Sequence, residues 1–296
     1  MPQCRICTAT ETFQFIRAPI VFGGKPEHNF WQCKKCDSIY LYPVITEEEE
    51  MRFYLQEFEG FMSSRVGDHR DWSNAENHKK TNQDQVTRRM PFIEDYLLTG
   101  VDILEIGCST GFMMDAFKSK GANCIGVEPS GDFSDYLVSQ GYEIYQDMKF
   151  IKDKKFDVIT NFFVFEHMRD PFKFLSDSYG LLKDKGVIVC EIPCANDPLT
   201  SLYNIDAFES FYWSIAHHYY YTPKSLTYIL EKLGYQHELV PEQRYDISNH
   251  MTWMQEGKPG GQGKYSEIYG KELVESYRQK MIDSWNCDTI FLYVWK

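Results

Sequence analysis

The segment Val101–Gly111, VDILEIGCSTG, limits what this chain can fold into more than any other stretch. Val101, Ile103, Leu104 and Ile106 form the apolar run of a strand covered on both faces, and Glu105 lies near its carboxyl end. Gly107 and Gly111 bracket a tight turn where the backbone must approach a ligand closely, and Phe112–Lys120 continues as an amphipathic helix. A second strand, Cys124–Val127, ends in Glu128 beside Pro129, where a carboxylate can accept the hydroxyls of a ribose. The first turn reads Glu-x-Gly-x-x-x-Gly, not Gly-x-Gly-x-x-Gly. It puts an acid where a pyrophosphate needs bare amide donors, which suits a cofactor carrying an ammonium or sulfonium group.

Strand and helix patterns then alternate. Gly131–Gln140 reads as a helix and Tyr142–Tyr145 as a strand leading into Asp147 and Met148. Phe156–Thr160 is a further strand that runs into Asn161–His167 (NFFVFEH), and a helix reaches about Leu182 before the strand Gly186–Pro193. Such alternation predicts an α/β fold with a parallel sheet. Ligands of these sheets bind beyond the carboxyl ends of the strands, which places Glu105, Glu128, Asp147 and Asn161–Phe163 around one crevice.

On LEIGCSTG, the second-strand acid, and the later "EH…DP…FL" and LLKDKG segments, the chain resembles the class I S-adenosylmethionine-dependent methyltransferases, with Ser109 where their middle glycine usually stands. The resemblance implies a Rossmann-like seven-stranded sheet with helices on both faces. S-adenosylmethionine would be held by Glu105, Gly107, Ser109, Gly111, Glu128, Pro129, Asn161 and Phe163. It also implies that Asp147 and Met148 lie along the adenine; read alone, they are equally a simple turn.

Cys4-x-x-Cys7 and Cys33-x-x-Cys36 are two knuckles whose four thiolates can complete a tetrahedral Zn²⁺ site. The alternative is four reduced cysteines. Short strands at Phe13–Ile16 and Phe30–Gln32 would make residues 1–43 a zinc ribbon, with the metal structural because a closed site has no open position. Residues 44–95 read as a helical linker, opened by Thr46 as N-cap of TEEEEM. The polar stretch Gly60–Asn82 is a possible lid, and Tyr54, Phe58 and Arg65 either cover the cofactor or pack. Residues 96–296 would be the methyltransferase domain, with acceptor-binding insertions near 197–221 and 244–287.

A formal charge of −12 argues against a broad nucleic-acid surface. With no long apolar run and no signal-like start, the expected setting is cytoplasmic, away from membranes. The segment Asn204–Tyr221, NIDAFESFYWSIAHHYYY, is too aromatic and histidine-rich for an ordinary connection. With the capped helix after it, it resembles zinc-ribbon methyltransferases of sugars and related natural products. The resemblance makes His218 the candidate general base, with His217 in place of their usual glutamate and Tyr219–Tyr221 as an acceptor wall; read alone, the tyrosines equally pack against the sheet edge. His167 is a second candidate base; it equally caps the next helix or holds Glu166.

A strand at Gln236–Gln243 and a last one at Asp288–Lys296 would complete the sheet. The further C-terminal domain usual in sugar C-methyltransferases of this type is not expected here, which favours O- or N-methylation over sugar C-methylation. The expected partner is a small acceptor, a sugar or nucleotide-sugar. The rivals are an rRNA or tRNA methyltransferase and a non-catalytic cofactor-binding module; oligomeric state stays open.

Overall fold

The computed structural model describes residues 1–53, 60–61 and 74–296. Tyr54, Phe58 and Arg65, and most of the expected lid, lie outside the described residues. Three antiparallel strands open the chain: β1 (Gln14–Ala18), β2 (Asn29–Cys33) and β3 (Ile39–Tyr42). Helix α1 (Glu47–Arg52) follows. It starts as expected at Thr46, whose side chain accepts from Glu49 N while the Glu49 side chain accepts from Thr46 N. Short helices α2 (Ala75–Thr81) and α3 (Gln83–Arg89) lead to the main sheet.

That sheet is built from β4 (Asp102–Ile106), β5 (Asn123–Val127), β6 (Glu143–Tyr145), β7 (Phe156–Phe162) and β8 (Leu182–Pro193), parallel to one another. Helices α4 (Phe112–Ser119), α5 (Gly131–Ser139) and α6 (Pro171–Leu181) connect them. After β8 come α7 (Pro198–Ser201), α8 (Asp206–Tyr212), the short strand β9 (Tyr219–Tyr220) and α9 (Pro223–Leu233). Strand β10 (Gln236–Glu242), α10 (Ile247–Glu256), α11 (Ser266–Asp283) and β11 (Thr289–Trp295) follow.

Seven strands line up in the order β10-β11-β8-β7-β4-β5-β6, with β10 and β11 antiparallel additions. The order reverses between β4 and β7, so the carboxyl ends of those strands open onto the crevice where ligands bind. Buried Leu104, Ile106, Ile159, Ile188 and Leu292 pack one face, and Ile103, Val158, Val189 and Phe291 the other. This two-sided burial explains the near-continuous apolar runs of the strands. Helix α9 shows the local logic clearly. Thr222 caps it, Pro223 opens it, Leu226, Ile229 and Leu230 form its buried stripe, and Gly234 ends it at φ 71°.

Strand β9 joins the other sheet. Tyr220 pairs with Ile39 and Tyr219 with Tyr40, making β9 the fourth strand of the N-terminal ribbon. Tyr219, Tyr220 and Tyr221 are therefore core residues, each at most 2% exposed. Of the two readings of these tyrosines, packing fits and the acceptor wall does not: burying three rings between ribbon and sheet favours packing by several kcal/mol over leaving them exposed, on the order of 2 kcal/mol per ring. Arg5 reinforces the seam, donating to the carbonyls of Leu41, His218 and Arg169 while lying 4.6 Å from the Tyr219 ring centroid.

The ribbon's thiols converge. Cys4 Sγ and Cys36 Sγ are 3.6 Å apart, as are Cys7 Sγ and Cys33 Sγ. Four sulfurs about 2.3 Å from one tetrahedral ion lie roughly 3.8 Å apart along each edge, so the cluster has the size of a Zn²⁺ site. The amides of Ile6 and Cys7 point at Cys4 Sγ, as donors do around a knuckle thiolate. Among the described residues no helix is long and apolar enough to cross a membrane.

Candidate active site

Two halves make up the site at the mouth of the crevice. The first is the β4 turn and its neighbours. Gly107 (φ 71°), Ser109 (φ 49°) and Gly111 (φ 73°) are all in the left-handed region. A Cβ on Gly107 would lie 2.5 Å from Val164 Cγ2, and one on Gly111 2.5 Å from Leu137 Cδ2. Both glycines are thus required by conformation and by space. Ser109 adopts the strained conformation that a glycine would take at no cost.

Glu128 leaves β5 with its carboxylate held from two sides. Oε2 accepts from Ser109 N at 2.7 Å and Oε1 from Ser130 N at 2.9 Å. Burial pushes its pKa up, opposed by these two amides. Each oxygen keeps a second lone pair, the arrangement a ribose diol needs. Glu105 is buried, and burial pushes its pKa up to about 8, with the Arg89 charge opposing and Glu128 and Asp115 adding to the rise.

Three buried oxygens in this half have no hydrogen-bond partner among the described residues: Glu105 Oε2, Ser109 Oγ and Asn161 Oδ1. Orphaned acceptors of this kind fit a cofactor bearing ammonium, sulfonium and hydroxyl groups. The other candidates sit at the rim. Asp147 accepts from Lys149 N and pairs with Lys149 Nζ at 2.8 Å, so it caps a turn. Met148 is half-buried against the core, Pro129 is exposed, and Phe163 turns the chain at φ 57° under the Arg244 guanidinium.

The second half gathers histidines from distant segments. His218 is 2% exposed, and its Nε2 lies 3.0 Å from Glu50 Oε1. The other Glu50 oxygen pairs with Arg169. The glutamate missing beside His218 in sequence is therefore supplied from α1. Burial lowers the His218 pKa, opposed by the hydrogen bond and charge of Glu50. His167 Nδ1 is 2.7 Å from the Ala216 carbonyl, and its ring meets His217 edge-to-face at 4.7 Å. Glu166, buried, comes within 3.9 Å of His167 Nε2. A backbone hydrogen bond from His218 N to Glu166 O, 2.9 Å, holds the two segments side by side.

One charged network escaped the sequence reading. Glu191 on β8 is fully buried and receives Arg88 Nη2 and Arg89 Nε, each at 2.6 Å. Arg89 also lies 4.4 Å from the Phe162 ring centroid. The signal was an acid inside the apolar strand GVIVCEIP, which must be paired when buried.

A family model for the methyltransferase domain matches residues 76–240. The chain belongs to the methyltransferase domain family. Its similarity to individual proteins is more distant. Over the matched part it is 30% identical to a ubiquinone biosynthesis O-methyltransferase of Actinobacillus pleuropneumoniae serotype 7, covering 31% of this chain and 45% of that relative's length. It thus spans less than half of the curated relative. Among solved structures, a SAM-dependent methyltransferase from Archaeoglobus fulgidus superposes with a TM-score of 0.51 at 21% identity, over 72% of this chain and 94% of the other. A plantazolicin methyltransferase in complex with SAH gives 0.51 at 14% identity, over 84% and 93%. At these identities the methyltransferase's structural neighbours speak for its fold alone.

Proposed function

We propose that this methyltransferase transfers a methyl group to a hydroxyl of a small polar acceptor, sugar-containing by its resemblance to zinc-ribbon methyltransferases. The observation that carries the reading is the Glu50–His218 pair beside the crevice. A carboxylate on one imidazole nitrogen fixes the ring and raises the basicity of the other. The other nitrogen, Nδ1, is buried and has no hydrogen-bond partner among the described residues. The name of the curated relatives, O-methyltransferase, points the same way.

S-adenosylmethionine supplies a methyl already made electrophilic by its sulfonium. What remains for the protein is alignment and removal of one proton. Glu128 binds the ribose hydroxyls, and Gly107, Ser109 and Gly111 let the backbone close on the methionine end. Glu105 would offset the cationic charge, Asn161 and Phe163 would line the crevice, and Pro129, Asp147 and Met148 would serve the adenine. His218 takes the acceptor proton, and Glu50 keeps its ring in place. Cys4, Cys7, Cys33 and Cys36 would hold a structural Zn²⁺ that fixes β3, and through β3 the strand β9 that follows His218.

The test is incubation of the purified protein with deuterated-methyl S-adenosylmethionine and a cell extract split into metabolites, RNA and protein. Label in a sugar-containing metabolite, with an O-linked methyl by fragmentation, is the expected result. Label confined to RNA overturns it, and label in no fraction favours the non-catalytic reading.

A further inference from the structure

Arg244 takes no part in the proton transfer, yet it sits where an acceptor would. Strand β10 runs parallel to β8, because β11 lies between them and is antiparallel to both. Its carboxyl end therefore opens on the same side of the sheet as the ends of β7 and β8, the side where ligands bind. Arg244 follows that end by two residues. Its guanidinium carbon is 4.5 Å from the ring centroid of Phe163, the first residue past β7. We propose that Arg244 holds an anionic group, a carboxylate or a phosphate, carried by the methyl acceptor. The inference rests on the methyl-transfer reading for what the anion belongs to, while the anion site stands on geometry of its own.

The first observation is how little of this arginine is spent inside the protein. Arg244 Nε donates to Asp288 Oδ1 at 3.3 Å, and neither terminal nitrogen donates to any group among the described residues. Arginines that only brace the fold behave differently here. Arg5 uses Nη1 and Nη2 on carbonyls, and Arg278 uses all three of its nitrogens, on Gln243 O, Glu275 and Glu242. The Nη1–Nη2 end left over on Arg244 is the two-pronged donor that matches a carboxylate or phosphate. Its side chain is 21% exposed, open to a ligand but largely withdrawn from water, which strengthens a charge pair.

The second observation is that the neighbouring acids are committed elsewhere. Asp288 also accepts from the amides of Arg244 and Tyr245, from Gln243 Nε2 and from Thr289 Oγ1, so its charge is shared among many donors. Glu191 is taken by Arg88 and Arg89, and Glu242 pairs with Arg278 at 2.7 Å. Burial, reinforced by Asp288, pushes the Asp197 pKa up to about 8 against the pull of Arg244, which keeps that acid protonated at neutral pH. Arg244 is thus a mostly desolvated cation that its neighbours only partly offset, a condition a bound anion relieves. Through the amides of Arg244 and Tyr245, Asp288 also fixes the loop, so the guanidinium is in place before the anion arrives.

Arg244 makes and breaks no covalent bond. It anchors one end of the acceptor while His218 takes the proton from the hydroxyl that is methylated. An uncharged analogue would leave the guanidinium without its partner, so the site discriminates in favour of an acidic acceptor.

Calorimetric titration of the full chain with sodium pyrophosphate and with succinate tests this. The protein is first saturated with S-adenosylhomocysteine, so that the cofactor's own carboxylate is already seated. The expected result is one equivalent of at least one of the two anions. Arg244→Gln should weaken it about 100-fold, and Arg244→Lys, which keeps the charge and loses the fork, about tenfold. Tighter binding of pyrophosphate assigns a phosphate-bearing acceptor, and tighter binding of succinate a carboxylate. Failure of both anions to bind the unmodified protein overturns the proposal without reliance on any variant folding. So does binding that Arg244→Gln leaves unchanged. In the deuterated-methyl experiment, the labelled product should be retained by an anion-exchange resin at neutral pH. An uncharged labelled product sinks the anion site alone, while a bound anion with label in no acceptor sinks the methyl-transfer reading alone.

Discussion

The cofactor half of the crevice and the acceptor half are built by different kinds of contact. The first is built mainly within a short run of chain, from Glu105 to Ser130, with Asn161 added from β7, and its main features are local: a glycine forced to positive φ, an acid at a strand end, an amide aimed at that acid. The second draws Glu50 from α1, Glu166 and His167 from beyond β7, and His217 and His218 from the approach to β9. Nothing in the local chain dictates that meeting. It depends on β9 completing the ribbon's sheet. A site of the first kind is fixed by sequence motif, and one of the second kind by tertiary packing.

The sharpest way to separate the halves is to disable one and measure the other. His218→Ala should lower kcat by about 10²- to 10³-fold, the range for loss of a general base. The dissociation constant for S-adenosylmethionine, read by calorimetry, should stay within about twofold. Glu50→Gln should give a smaller loss of the same kind. A variant lacking His218 that turns over at the unmodified rate would remove the base assignment and shift it to the remaining histidines. In the other half, Glu128→Ala should weaken cofactor binding by about 100-fold, as expected when two charge-assisted hydrogen bonds of about 1.5 kcal/mol each are lost. Unchanged affinity would break the ribose assignment.

Chelating any metal held by Cys4, Cys7, Cys33 and Cys36 probes the coupling between the halves. A strong chelator should loosen the β3–β9 pairing, lowering kcat/KM for the acceptor about tenfold while cofactor affinity holds, because the ribbon strands pair with β9 whereas β4 pairs with β5 and β7 in the other sheet. Equal loss of both would show that the halves are one cooperative unit.

Legibility in the sequence followed the same division. The order of β4 to β8, the N-caps at Thr46 and Thr222, and the four thiols were all readable, because each rests on residues close together in the chain. The ribbon strands were misjudged in extent, since β3 was not seen and β9 lies in another region altogether. Tyr219–Tyr221 looked like a binding surface because aromatic density is common to pockets and cores; only the ribbon's position decides between them. Glu50 was hidden within a run of four acids. Glu47, Glu48 and Glu49 serve or surround the helix start, and nothing local singles out the one that turns inward. Helix α10 also went unread, as ISNHMTWMQE is polar enough to pass for a loop.

The smallest expected effect tests whether Glu105 senses charge in the cofactor half. With its pKa pushed up to about 8 by burial, Glu105 is neutral in the free protein below that pH. A cationic sulfonium, whose charge does not titrate, favours the ionised form, so cofactor binding releases up to one proton. Affinity should therefore rise with pH between about 6 and 8, by at most tenfold per unit, and level off above 8. Stability runs the other way. A carboxyl whose folded pKa lies above its ordinary value of 4.5 stabilises the fold most at acid pH, and that contribution is lost as pH climbs from 4.5 toward 8. Calorimetry in buffers of different ionisation enthalpy counts the released proton directly. Glu105→Gln should abolish the protein's share of that release and flatten the affinity slope. The same slope in the variant would mean that the cofactor's own amino group, not Glu105, sets the pH dependence.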